Sequence, residues 1–149
     1  MPTVTAIVDI AAPPESVGAV LLDIDAAPIW TAGLERLEFI EGVVGQAGCV
    51  GLAHYVEGGR SYTLEDRLLE VTPDRHYKSE ITGGGLKATV ETTLEEVSGG
   101  TRMTVCWSGT GTNPLTRLML PLLKKRIAKR SEADLHALRR LVEDKGAET

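Results

Sequence analysis

Six segments with alternating side chains, joined by short turns, fill the middle of this 149-residue chain. The turns are rich in glycine or contain Pro-Asp, as at Gly58-Gly59 and Pro73-Asp74. Alternation with a period of two predicts strands, and connections this short join antiparallel neighbours. We therefore expect an antiparallel meander of six strands, at residues 34–44, 49–56, 60–71, 75–82, 86–97 and 101–110.

The first 30 residues predict one more strand and two short helices. Residues 3–10 alternate, which adds a seventh strand with its apolar side chains on one face. Pro13-Pro14-Glu15 then favours a helix start, because proline is tolerated in the first turn and glutamate complements the helix dipole. Pro28 breaks this helix, so Ile29-Trp30 fall on a short second helix or turn.

An apolar stripe with helical spacing runs along the C-terminal part of the chain, from Asn113 onward. Its members are Leu115, Leu118, Met119, Leu122, Leu123, Ile127, Leu135, Leu138, Leu141 and Val142. Either the helix is kinked at Pro121, or a short segment ends near Leu120 and the main helix begins at Pro121. That main helix has about 24 residues and a length of ~36 Å.

These elements predict how the chain packs. The sheet has one apolar face, and only the C-terminal helix is large enough to cover it. We predict an α+β fold in one domain, residues 1–149: a seven-stranded curved antiparallel sheet wrapped around a long C-terminal helix, with two short helices after strand 1. Because a curved sheet and a straight helix do not fit along their full length, we expect a cavity between them for an apolar ligand.

Four segments carry a family resemblance: VDIAAPPESVGAVLLDIDAAPIW (8–30), EDRLLEVTPDR (65–75), GGLKATVETTLEEVSGGTRMTV (84–105) and LPLLKKRIAKRSEADLHALRRLVE (120–143). In this order they resemble the START / Bet v 1-like superfamily, also called SRPBCC or helix-grip proteins. The polyketide cyclase/dehydrase and lipid-transport-like branch is the most similar. Pro28-Ile29-Trp30 supplies the Pro-x-Trp of that pattern, whereas Gly18 stands where the family often has Trp or Phe. The resemblance implies the helix-grip fold and a cavity whose shape Gly18 alters.

Composition and charge argue against several classes of protein. A net charge of -5 and the lack of zinc-finger spacing argue against a nucleic-acid partner. We see no signal peptide and no membrane-spanning run, so we expect a cytoplasmic protein without stable membrane insertion. Cys49 and Cys106 indicate reduced thiols, and the three histidines lack ligand spacing, so we expect no metal and no cofactor.

The loop at Gly58-Gly59 decides which side chains of two strands face the cavity. A two-residue loop pairs His54 with Thr63 and separates the apolar residues, whereas a three-residue loop keeps them on one face. Because burial of one face fixes register, we expect the three-residue loop, with His54 opposite Tyr62.

In that register His54, Tyr62 and Asp66 form a polar cluster on the cavity wall and are weak catalytic candidates, since a histidine beside a carboxylate could act as an acid/base pair. The alternative is a structural network, or a bulge that turns them outward. The predicted ligand-binding residues are Trp30, Leu52, His54, Tyr62, Leu64, Tyr77, Ala88, Val90, Trp107, Met119 and Leu123. For Trp30, Tyr77 and Trp107 the alternative role is packing of the core.

A run of positive charge lies on the C-terminal helix, at Lys124, Lys125, Arg126, Lys129 and Arg130. Such a run is usually a solvated helix face, and attraction to anionic lipid or to a partner is the alternative.

Three functions fit these patterns. The leading hypothesis is binding of a small hydrophobic ligand, lipid-like or polyketide-like, without catalysis. The second is an enzyme, a polyketide aromatase/cyclase that removes water. The third is an interaction protein with a filled core.

Overall fold

A computed structural model describes residues 3–147, which form one seven-stranded antiparallel sheet and three helices. The strands are β1 (Thr3–Ile10), β2 (Leu34–Glu41), β3 (Val50–Glu57), β4 (Arg60–Thr72), β5 (His76–Gly83), β6 (Leu86–Val97) and β7 (Gly100–Gly111). The helices are α1 (Pro14–Leu21), α2 (Ala27–Trp30) and α3 (Pro114–Ala147). The strand order β1-β7-β6-β5-β4-β3-β2 confirms the predicted meander, with the first strand paired to the last. Two residues at each end of the predicted domain lie outside the described residues.

The second half of α3 packs on the inner face of the sheet and holds the core together. Leu138 is fully buried, with Val142 and Leu135 one turn away on either side. They join one cluster with Ile10 of β1 and Met103 of β7. The second half of the predicted apolar stripe therefore packs against the sheet, whereas Leu115, Leu118, Met119 and Leu122 of its first half are exposed.

The helix α3 begins at Pro114, so the interpretation with a main helix beginning at Pro121 is wrong, and the interpretation with Pro121 inside the helix holds. It is one helix of 34 residues, about 51 Å long, and Pro121 lies inside it. Asn113 caps its start, because its Oδ1 accepts hydrogen bonds from the backbone N–H and the hydroxyl of Thr116, both at 2.9 Å. Pro121 has no N–H to donate to the carbonyl of Arg117 four residues earlier, so one hydrogen bond of the helix is missing there.

The predicted three-residue loop between β3 and β4 is wrong. Glu57 pairs with Arg60, so the loop contains only Gly58 and Gly59, and Tyr55 lies opposite Tyr62. Both glycines have positive φ, 55° and 79°, which is the backbone of a two-residue hairpin whose twist matches that of the strands. This one-residue change exchanges the two faces of β3.

Candidate functional site

A cavity of about 350 Å³ lies between the inner face of the sheet, the α1–α2 segment and α3. Its volume is within the range of small-molecule sites, roughly 300 to 1,000 Å³. Most of its lining is apolar, with side chains from every layer that surrounds it: Leu21, Ala27, Trp30, Leu34, Leu37, Phe39, Ala53, Leu68, Val90, Met103, Val105 and Leu135.

Helix α3 lines the cavity only with its second half, at Ser131, Asp134 and Leu135. Met119 and Leu123, predicted as ligand-binding residues, lie nearer the start of the helix and are not among the lining residues. The first half of α3 thus contributes no side chain to the cavity wall.

Asp66 is the most unusual residue on the wall. It projects from β4 among apolar side chains, where its charged form loses hydration. Burial raises the pKa of Asp66 to about 6, and a favourable interaction with the Ser79 hydroxyl opposes that rise. Its carboxyl therefore changes protonation around pH 6.

Other polar groups lie on the same wall. Ser79 of β5 and Thr92 of β6 line the cavity. Trp30 lines it as well, and its indole Nε1 is buried with no hydrogen-bond partner among the described residues. Beside Asp66 the wall therefore includes the Ser79 hydroxyl, and elsewhere it includes the Thr92 hydroxyl and the unsatisfied N–H donor of Trp30.

A cluster around Arg130 joins α3 to the β3–β4 hairpin beside the cavity. Arg130 forms an ion pair with Glu57 and donates to the Tyr62 hydroxyl at 3.2 Å. It also donates to the Ala32 carbonyl, and its guanidinium lies 5.0 Å from the centre of the Tyr55 ring. We call this set the Arg130 cluster. Because of these contacts Arg130 is partly buried, unlike the exposed cations of the basic run.

Tyr55 connects the Arg130 cluster to the cavity. Its ring stacks on Tyr62 with a centroid distance of 5.1 Å, and Tyr55 itself lines the cavity. Burial raises the pKa of Tyr55 to about 12, opposed by the nearby Arg130 charge, so its hydroxyl stays protonated at neutral pH. Asp134 completes this side of the wall and accepts a hydrogen bond from the Ala32 N–H at 3.0 Å.

Three of the predicted ligand-binding residues line the cavity: Trp30, Tyr77 and Val90. Leu64 instead packs against the small cluster of Ala27, Leu34 and Ala53, and Tyr62 belongs to the Arg130 cluster.

Ala88 and Trp107 also lie outside the cavity wall, although β6 and β7 have the predicted register. The Trp107 ring covers Gly109, where a Cβ would lie 2.7 Å from two of its atoms, and Ala88 lies beside them. Trp107 therefore packs beside Ala88 instead of lining the cavity.

His54 and Leu52 are on the opposite face of the sheet from Asp66, because the two-residue loop reverses β3. His54 pairs with Thr63, whose Oγ1 lies 3.2 Å from Nδ1, and its Nε2 is 3.7 Å from Glu38 Oε1. The expected cluster of His54, Tyr62 and Asp66 is therefore wrong, and with it the acid/base pair of His54 and Asp66.

The reversed strand also explains which residues were missed. Gly51, Ala53 and Tyr55 line the cavity in place of their outward-facing neighbours. The signal was present in the sequence, because two adjacent glycines favour a two-residue hairpin. No comparable signal marked Asp134 or Arg130, whose partners come from distant parts of the chain.

Gly18 has a specific packing role in this chain. A Cβ at Gly18 would lie 2.2 Å from Asp74 Oδ1 and 3.0 Å from the Tyr77 hydroxyl, which accepts a hydrogen bond from the Asp74 N–H at 3.0 Å. An aromatic residue here would displace this pair. The Asp74–Tyr77 pair thus occupies the space into which a larger side chain at position 18 would project.

Two kinds of feature are missing from residues 3–147, a cluster of metal-ligating side chains and a membrane-spanning helix. No group of three or more His, Cys, Asp or Glu side chains in this range is placed to hold a metal ion. None of the helices within it has the length and apolarity that a bilayer crossing requires.

One family model matches almost the whole chain. Residues 1–143 match the family model described as polyketide cyclase / dehydrase and lipid transport. A search of curated proteins by sequence found no significant match.

Solved structures share the fold at low sequence identity. TTHA0849 from Thermus thermophilus is 20% identical with a TM-score of 0.80, covering 97% of this chain and 99% of its own. The Zhui aromatase/cyclase from Streptomyces sp. R1128 is 22% identical with a TM-score of 0.77, covering 95% and 93%. Ara h 8.0201 is 20% identical with a TM-score of 0.74, covering 95% and 97%.

Proposed function

Because the chain belongs to the polyketide cyclase / dehydrase and lipid transport family, within the SRPBCC superfamily, we propose that it binds a small hydrophobic molecule, lipid-like or polyketide-like, in the cavity under α3. The observation that carries this proposal is a cavity of about 350 Å³ whose lining is mostly apolar. Transfer of apolar ligand surface from water to this lining supplies the affinity, at about 25 cal/mol per Å² of surface buried.

The polar groups on the wall define the ligand further. Asp66 and Asp134 place two carboxyls around an apolar space, which disfavours an anionic ligand. Asp66 can accept a hydrogen bond from a ligand hydroxyl, and Trp30 Nε1 offers a donor to a ligand oxygen. The ligand we propose is neutral, with a hydrocarbon body and one or two hydroxyl or carbonyl oxygens.

A neutral fluorescent probe tests occupancy of the cavity. We expect N-phenyl-1-naphthylamine to bind with enhanced fluorescence, and Ala53→Phe to weaken its binding at least tenfold. Ala53 is a small buried residue on the wall, so a phenyl ring there occupies the space of the probe. The measurement is a fluorescence titration of both proteins.

The matched control is Ala133→Phe, the same exchange at an exposed position of α3, which should leave probe affinity unchanged. If Ala53→Phe does not fold, Gly51→Leu replaces it. A Cβ at Gly51 would lie 3.4 Å or more from every neighbouring atom, so a larger side chain can be introduced there without a backbone clash. Equal affinity in a folded wall variant and in wild type would contradict binding in the cavity.

A second function, catalysis of the aromatase/cyclase type, is favoured by Asp66 alone. An acid with a pKa of about 6 inside an apolar cavity is suited to proton transfer near neutral pH. With His54 on the other face, Asp66 would act without the predicted partner. Catalysis requires that Asp66→Asn lower turnover by about a hundredfold with ligand affinity preserved. A pure binding function predicts only a change in affinity.

A further inference from the structure

The first nine residues of α3 expose four large apolar side chains to solvent. Leu115, Leu118, Met119 and Leu122 have exposed fractions of 67%, 79%, 44% and 61%. We call these four residues the leucine face. Single exposed apolar residues are ordinary on a protein surface, but a contiguous group usually marks an interaction site.

The leucine face has the geometry of one side of a helix. Its members are spaced by three, four and seven residues, so they fall within an arc of about 100°. Leu120, between them in sequence, points the other way and is buried. The helix is therefore apolar on both sides here, with one side used for packing and the other without a partner in residues 3–147.

The next two turns of α3 carry cations on the same side of the helix as the leucine face. Lys125, Arg126 and Lys129 continue the same side of the helix, all exposed. Residues 97–131 contain seven Lys and Arg and no Asp or Glu, in a chain whose net charge is -5. Positive charge is thus concentrated on this part of an otherwise acidic protein.

We propose that the leucine face and the adjoining cations dock the protein on the surface of an anionic lipid bilayer. In this arrangement the first nine residues of α3 enter the boundary between headgroups and acyl chains. Lys125, Arg126 and Lys129 then lie at the level of the phosphates. Apolar insertion and charge attraction are both required, because neither alone gives stable interfacial binding.

Charge favours a bilayer over a second copy of the chain. In a parallel two-fold contact through the leucine face the cations of both copies would lie side by side. In an antiparallel contact they would lie beside the partner's helix start, where residues 97–131 offer no acidic side chain to pair with them. Docking also does not depend on the cavity, because the first half of α3 lines none of it.

Vesicle flotation with the full chain, without added ligand, tests the proposal. The probes are vesicles of phosphatidylcholine alone and vesicles of phosphatidylcholine with one quarter phosphatidylglycerol. We expect the protein to float with the anionic vesicles and not with the neutral ones. Raising the salt concentration should release it, because the charge attraction is screened.

Two double variants separate the apolar and the charged contributions. Lys125→Gln with Lys129→Gln should weaken partitioning about 25-fold, since each cation near an anionic surface contributes about fivefold. Leu118→Gln with Leu122→Gln leaves the charge unchanged and should weaken it at least tenfold. Both pairs are exposed, so the variants should fold as wild type, which circular dichroism can check.

The matched controls are Ile7→Gln, an equally exposed apolar residue on β1, and Lys87→Gln on β6. Both should float as wild type does. The proposal is overturned if wild type does not float with anionic vesicles, or if the leucine-face variant floats equally well. It is also overturned if size-exclusion chromatography with light scattering shows a dimer that Leu118→Gln dissociates.

Discussion

Asp66→Asn is expected to stabilise the protein at pH 8 by about 3 kcal/mol relative to wild type. In wild type the carboxylate is ionised at that pH inside an apolar cavity, at a cost reflected in the rise of its pKa from 3.8 to about 6. Asparagine has a similar shape and no charge to desolvate. The measurement is urea unfolding of both proteins across pH 3.5 to 8.

The sign of the pH dependence follows from proton binding. Between pH 3.8 and 6 the native state holds the Asp66 proton more tightly than the unfolded chain does, so this contribution to stability falls as pH rises through that window. The two proteins should therefore be similarly stable below pH 4 and diverge above it. Glu70→Gln, at an exposed position of the same strand, should change stability by less than about 0.5 kcal/mol. A wild type as stable as Asp66→Asn at every pH would contradict the burial of this acid.

Leu138→Ala is expected to lower the free energy of unfolding by about 3–4 kcal/mol. Leu138 is the fully buried residue at the centre of the contact between α3 and the sheet, so the exchange removes apolar contacts and leaves a void. Leu118→Ala is the matched control on the exposed side of the same helix and should cost less than about 0.5 kcal/mol. Equal losses in the two variants would show that α3 is not held by the predicted stripe.

The fold followed from the sequence because local patterns and global packing agreed. Alternation and short turns required an antiparallel meander, and the stripe through Leu135 and Leu138 required a helix across it. A helix start at Pro121, one of the two interpretations, was wrong because the Asn113 cap and Pro114 begin the helix seven residues earlier.

The candidate site was harder to predict, because the register of a strand decides which of its side chains face the cavity. Because the loop is one residue shorter than predicted, Tyr55 lies on the cavity wall in place of His54. The inward side of β3 carries Gly51 and Ala53, and residues this small do not produce the apolar alternation that marks a core face. Small residues there are what leave room for the cavity.

The charged part of the site depends on long-range contacts that no local pattern contains. Arg130 belongs to a basic run whose other members are exposed, yet it pairs with Glu57 and Tyr62 of a distant hairpin. Asp66 was predicted on the inner face, but its raised pKa comes from the apolar side chains that the fold brings around it.

The most direct test of ligand binding in the cavity is nuclear magnetic resonance of the labelled protein titrated with N-phenyl-1-naphthylamine. Binding in the cavity predicts that the largest amide shifts occur at Gly51, Ala53, Asp66, Ser79 and Leu135, all of which line it. Shifts confined to the leucine face, with these five amides unchanged, would contradict it.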